Sequence, residues 1–143
     1  MSFSIDGKTV IVTGAANGIG AALARHFAEN GANVMCADID EKALKKDLGE
    51  SADDSNVRYF AGDLREKLTL ANLLSATVDA FDRVDVLVNA SRQMATTDPL
   101  DMDDETVEKL LQQNLMTSLR LSQMVAKRMI KQDEEQDHEF AGT

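Results

Sequence analysis

Residues 13–20, TGAANGIG, place glycines at 14, 18 and 20 between an apolar run, TVIV, and a segment with helical periodicity, AALARHFAENGA. Glycines at a strand-to-helix turn can bring bare backbone N–H groups up to an anion. Gly14 lets the chain leave the strand sharply; Gly18 and Gly20, lacking Cβ, admit a pyrophosphate to the backbone and let the helix pack close to the sheet. The spacing, G-x3-G-x-G, differs from the commoner G-x-G-x-x-G, and a turn that holds no ligand can look the same. Asp38 is a second signal. It ends another apolar run, 18 positions after Gly20, close to the offset of about 20 at which a carboxylate receives the hydroxyl pair of a ribose. A carboxylate there accepts from the 2′- and 3′-hydroxyls of NAD and repels the extra phosphate of NADP. Ala15, Ala16, Asn17, Ile39 and Asp40 include no cation to compensate, so NAD is favoured.

These residues need a scaffold, and the chain alternates two periods. KTVIV (8–12), NVMCAD (33–38), VRYFAGD (57–63) and VDVLVN (84–89) are short and apolar or β-branched, as strands buried on both faces are. Each is followed by a helical pattern. Ile19, Leu23 and Phe27 share one face of the first, and Gly31 is placed to end it in a left-handed conformation. EKALKKDLGE is a short, charged second helix. Leu64, Leu68, Ala71, Leu74, Val78 and Phe81 mark the third. The last runs from about 103 to 131 with Val107, Leu110, Leu111, Leu121 and Val125 as its apolar positions. Asp101, Asp103, Asp104 and Glu105 crowd its start, where the helix dipole favours negative charge. Strand–helix alternation repeated in this way predicts a doubly wound α/β fold of three layers with a parallel sheet of at least four strands. Ligands in such sheets sit beyond the carboxyl ends of the strands, where the glycine loop lies.

Composition bounds the partners. The chain has 143 residues, 43% of them hydrophobic, enough for a single domain spanning 1–143. Its net charge of −10 opposes nucleic acid or an anionic membrane as a partner. No apolar run approaches the roughly 18 residues of a membrane span. The lone Cys36 and a start without the layout of a signal peptide lead to a cytoplasmic expectation. His26, His138 and Cys36 lack metal-ligand spacing, so no metal is expected. Asp53 and Asp54 read as a solvated turn.

The stretch DGKTVIVTGAANGIGAALARHFAENGANVMCADID resembles the opening of the short-chain dehydrogenases/reductases, in their single-domain branch. GDL (62–64) is similar to the family's adenine-contacting segment. DVLVNAS (85–91) resembles its N-N-A-G segment, keeping Asn89 and Ala90 but with no doubled Asn and no Gly nearby. The resemblance implies a Rossmann-like fold with a cofactor held by Gly14, Asn17, Gly18, Ile19, Gly20, Asp38, Ile39, Asp63, Leu64, Asn89 and Ala90. It also implies hydride transfer between nicotinamide and a small carbonyl or alcohol substrate, and a homo-oligomer built through the long helix. Asn114, in LLQQNLMTSLRL, matches the asparagine of the family's Asn, Ser, Tyr, Lys tetrad. From its position beside Leu110 and Leu121 it is equally a buried amide tying down backbone groups.

The rest of the tetrad has no counterpart. The one tyrosine, Tyr59, is followed four residues on by Asp63, so Tyr-x3-Lys is absent and the chain alone is expected to be inactive. AGT (141–143) is similar to the approach to the family's next strand, and the resemblance covers the family's first half only. With strand order 3-2-1-4, the fourth strand would be an apolar edge, making the isolated chain less stable or self-associating. Two alternatives stay open: a non-catalytic dinucleotide-binding module, and a methyltransferase binding S-adenosylmethionine, which uses a similar loop and acid.

Overall fold

The computed structural model describes residues 4–48 and 55–136. Asp53, Asp54, His138 and the AGT end lie outside the described residues. Four strands, β1 (Thr9–Thr13), β2 (Asn33–Asp38), β3 (Val57–Ala61) and β4 (Val86–Asn89), form one parallel sheet in the order β3-β2-β1-β4. The helices are α1 (Gly18–Glu29), α2 (Glu41–Leu48), α3 (Lys67–Phe81), α4 (Asp104–Leu111) and α5 (Thr117–Gln136), with a π-helical turn at Gln112–Met116 joining the last two.

The two-residue period of a strand explains the layering. Val10 and Val12 of β1, with Val34 and Cys36 of β2, pack on Ala24 of α1 and Leu44 of α2. The intervening Ile11, Met35 and Ala37 face the other way, onto Leu70 and Leu73 of α3 and Leu121, Val125 and Met129 of α5. The central strands β1 and β2 are therefore buried on both faces, whereas β3 and β4, expected to be buried likewise, are half-buried because each is an edge strand with a neighbour on one side only. Burial also pushes the Cys36 thiol up to about 12, well outside the range in which it would act as a nucleophile.

Helix ends follow local chemistry. Gly31, at φ +85°, ends α1 as expected. Asp82 closes α3 in the same left-handed region, φ 67°. Asp103 caps α4, its side chain accepting the Thr106 N–H at 2.7 Å, and Asp104 and Glu105 fill the first turn. The charged second helix forms through Leu44, its buried anchor.

Several expected positions move. Ile19 is 70% exposed because its side chain lines the open cleft at the carboxyl end of the sheet, while its neighbour Gly20 is the residue of that turn that packs inward. Leu68 is 72% exposed; the buried stripe of α3 is Leu70, Leu73 and Thr77, and Leu64 is buried ahead of the helix. The long last helix is not continuous in type: the π turn divides it, and Val107 and Leu111 lie exposed on the α4 side while Leu121 and Val125 are buried. The third strand stops at Ala61, short of residue 63, once the Gly62 N–H has bonded the Asp38 carbonyl. β1 runs one residue later than expected, and β4 starts at Val86 because Asp85 turns its carboxylate onto the Thr9 N–H at 2.9 Å, with Arg83 on its other side. Above it, the buried Gln132 of α5 accepts from the Val84 N–H and donates to the Val84 carbonyl, strapping that helix to the entry of β4.

Candidate functional site

The pairing registers bring Thr13, Ala37 and Asn89 level at the carboxyl end of the sheet. Beyond them opens a cleft of about 730 Å³. Every position read from the sequence as cofactor-binding lines it. The first loop supplies Gly14, Asn17, Gly18, Ile19 and Gly20; the end of β2 supplies Asp38 and Ile39. The turn after β3 adds Asp63 and Leu64, and the end of β4 adds Asn89 and Ala90.

The glycines are required for different reasons. A Cβ on Gly20 would stand 2.1 Å from the Gly14 carbonyl oxygen, so Gly20 lets α1 close against the turn. A Cβ on Gly14, whose φ is +66°, would stand 2.7 Å from the Ser91 Cα, so Gly14 lets the loop after β4 close against the first loop. Gly18 has φ +56° and open space where its Cβ would be. Asn17 precedes α1 without a side-chain capping bond, and the first turn carries no acidic residue. The N–H groups that begin α1 thus face the cleft with the dipole favouring an anion.

Asp38 is half-buried, and its Oδ2 accepts the Ala16 N–H at 3.1 Å while Oδ1 accepts the Asp40 N–H at 3.0 Å. The acid and the glycine loop are therefore one unit. Each carboxylate oxygen keeps a further lone pair for a hydroxyl donor.

Asp63 is held differently. Arg65 donates from Nε to both its oxygens, at 2.9 and 3.1 Å, and from Nη2 to Oδ2 at 2.6 Å. These hydrogen bonds hold the Asp63 carboxyl below its ordinary range. Arg65 itself lines the cleft.

The fourth-strand side is a hydrogen-bonded clamp. Thr13 Oγ1 accepts the Ala90 and Ser91 N–H groups, both at 3.2 Å. Gln113, in the π turn, donates to Ser91 Oγ at 2.8 Å, and its neighbour Asn114 pairs with both backbone groups of Gln93. Asn114 is exposed, contrary to the expectation of a buried amide, and it does not line the cleft, whereas Gln113 does. The π turn inserts a residue into the helical repeat and presents both side chains to one loop, a use such turns have at functional sites. Asn89 donates from Nδ2 to Ser122 Oγ at 3.0 Å, tying β4 to α5.

Arg65, Ser91, Arg92, Gln93 and Gln113 also line the cleft, and Thr13 clamps its fourth-strand side, none of which sequence reasoning placed there. A threonine within a buried apolar strand was a detectable sign for Thr13, and the side chains following Asn89 where no glycine stands were one for Ser91 and Arg92. Among the described residues no group of three His, Cys, Asp or Glu could hold a metal ion.

The short chain dehydrogenase family profile matches residues 8–136. An uncharacterized oxidoreductase of Thermotoga maritima is 34% identical over 128 residues, covering 89% of this chain and 50% of the relative. D-threitol dehydrogenase of Mycolicibacterium smegmatis is 34% identical, with 90% and 50% covered. NAD-dependent glycerol dehydrogenase of Listeria innocua is 30% identical, with the same shares. The crystal structure of gox2181 superposes with a TM-score of 0.82 at 29% identity, over 90% of this chain and 51% of the other. The chain spans about half the length of the curated relatives it matches.

Proposed function

The chain belongs to the short-chain dehydrogenase/reductase family, and from that premise we propose that residues 1–143 form a single Rossmann-type NAD-binding domain serving an oxidoreductase. The reaction is hydride transfer between nicotinamide and the carbonyl or alcohol carbon of a small molecule. One observation carries this reading: Asp38 accepts the Ala16 N–H, so a ribose acceptor and a phosphate-facing helix start are held together in one cleft.

The residues fit a dinucleotide in sequence along the cleft. Asp63 and Leu64 stand at the adenine end, Asp38 and Ile39 at the adenosine ribose, Gly14, Asn17, Gly18, Ile19 and Gly20 at the pyrophosphate, and Asn89 and Ala90 toward the nicotinamide half. The nicotinamide supplies or receives the hydride when bound. These residues bind and orient it, and the Asp38 carboxylate favours the free 2′-hydroxyl of NAD over the phosphate of NADP. Asn114 is the one tetrad position matched, and its role here is to fix the loop after β4 next to the cofactor. Proton transfer needs the family's Ser, Tyr and Lys, for which residues 1–143 hold no equivalent.

A cytoplasmic homo-oligomer belongs to the same reading. Leu111, Leu115 and Leu119 are each about half exposed along α4, the π turn and α5, an apolar stripe suited to a second copy. Family membership weighs against the methyltransferase alternative.

Titration of the protein with NAD, NADP and S-adenosylmethionine tests the assignment. NAD is expected to bind tightest, and Asp38→Ala to reduce its advantage over NADP at least tenfold. Preference for S-adenosylmethionine would sink the reading; preference for NADP would sink its cofactor assignment.

A further inference from the structure

We propose that Arg92 is a cofactor-binding residue, its guanidinium supplying the cationic contact to the dinucleotide pyrophosphate in an otherwise acidic protein. The inference rests on the dinucleotide reading above and deepens it.

Three observations support it. First, position: Arg92 lines the same cleft as Gly18 and Gly20. The preceding residue touches the glycine loop, since a Cβ on Gly14 would stand 2.7 Å from the Ser91 Cα. Arg92 therefore starts beside the anion-facing turn, on the β4 side of β1 and away from Asp38 on β2.

Second, the backbone that carries Arg92 is fixed on both sides. Ser91 is held by Thr13 through its N–H and by Gln113 through its hydroxyl. Gln93 is held by Asn114 through its N–H and its carbonyl. A long side chain on a fixed base loses less freedom when its planar fork meets a phosphate.

Third, charge: the cleft carries two carboxylates, Asp38 and Asp63, on its adenosine half, and two guanidiniums. Arg65 is engaged with Asp63 by three side-chain hydrogen bonds. Arg92 is the cation placed on the phosphate half. With a net charge of −10 the chain repels an anionic ligand at long range, so a local cation has a large share in holding it. Arginine offers a phosphate two parallel donors, which a lysine does not.

The experiment measures dissociation constants for NAD, ADP and adenosine with the wild-type protein, Arg92→Ala and Arg92→Lys, at low and high salt. Arg92 is exposed, so neither substitution opens the core. Arg92→Ala is expected to weaken NAD and ADP about five- to tenfold, as loss of a partly solvated charge-assisted pair does, while leaving adenosine unchanged. The difference should shrink at high salt, and Arg92→Lys should fall between. Lys127→Ala, which removes a cation from the exposed face of α5, should bind like wild type. Unchanged NAD and ADP affinities in Arg92→Ala, or equal losses for adenosine, would overturn the role of Arg92 and leave the dinucleotide reading standing. Failure of the wild-type protein to bind NAD or ADP would overturn both.

Discussion

Asn114 and Gln93 hold each other through two hydrogen bonds: the Gln93 N–H donates to Asn114 Oδ1 at 2.7 Å, and Asn114 Nδ2 donates to the Gln93 carbonyl at 2.8 Å. A side-chain amide thereby replaces a strand partner for a loop that has left the sheet. Because Asn114 sits in the π turn, helix geometry and cleft geometry are coupled through this pair.

Asn114→Ala should free the loop at Gln93 without unfolding the sheet, since Thr13 and Gln113 still hold Ala90 and Ser91. Removing both bonds from an exposed site costs about 1–2 kcal/mol. Hydrogen exchange at the Gln93 amide should accelerate roughly tenfold while the β1 amides keep their protection. Equal acceleration throughout would mean that the pair supports the whole fold and not the loop.

The three loop glycines should differ when replaced by alanine. Gly18→Ala meets open space and only the strain of φ +56°, a cost of about 1–2 kcal/mol. Gly20→Ala and Gly14→Ala place a Cβ 2.1 Å and 2.7 Å from backbone atoms, and should cost about 3 kcal/mol or more. Chemical denaturation ranks them directly, and a Gly18→Ala variant less stable than Gly20→Ala would contradict the packing described.

Gln132→Ala would leave the Val84 N–H and carbonyl buried without their side-chain partner. Two unsatisfied buried groups cost about 2–4 kcal/mol, so thermal unfolding should fall by roughly 5–15 °C in a chain of this size. A shift within experimental error would show that water or a backbone move replaces the strap.

Acid should loosen the start of α4. The Thr106 N–H, followed by the Thr106 hydroxyl, holds the Asp103 carboxyl below its ordinary 3.8. A group depressed on folding contributes its stability above the unfolded value, and that contribution is lost as pH falls through the lower folded value. The Thr106 amide resonance should therefore titrate with a midpoint below 3.8; a midpoint at or above 3.8 would refute the cap's effect. Asp103→Asn should keep an oxygen acceptor for the Thr106 N–H and remove this titration.

What could be read without coordinates were features written in neighbouring residues. Apolar runs alternating with helical periods imply a parallel sheet between helix layers, because each run must be buried on both faces. Glycines after the first run and an acid after the second lie at the carboxyl ends of their strands wherever the strands sit, so they converge in any such sheet. The long-range arrangements could not be read this way. Asn114 meets Gln93 21 positions away, and Gln113 meets Ser91 at a distance of 22. Neither pair has a repeat or spacing to announce it. Nor does periodicity mark the π turn that faces both side chains toward the loop, or the commitment of Arg65 to Asp63 in a cleft that Arg92 also lines. Local sequence determined the elements and the glycine turn, since those depend on backbone preferences within a few residues. The tertiary structure decided which side chains clamp the fourth-strand loop and what charge that loop presents, because those depend on distances set only when the layers pack.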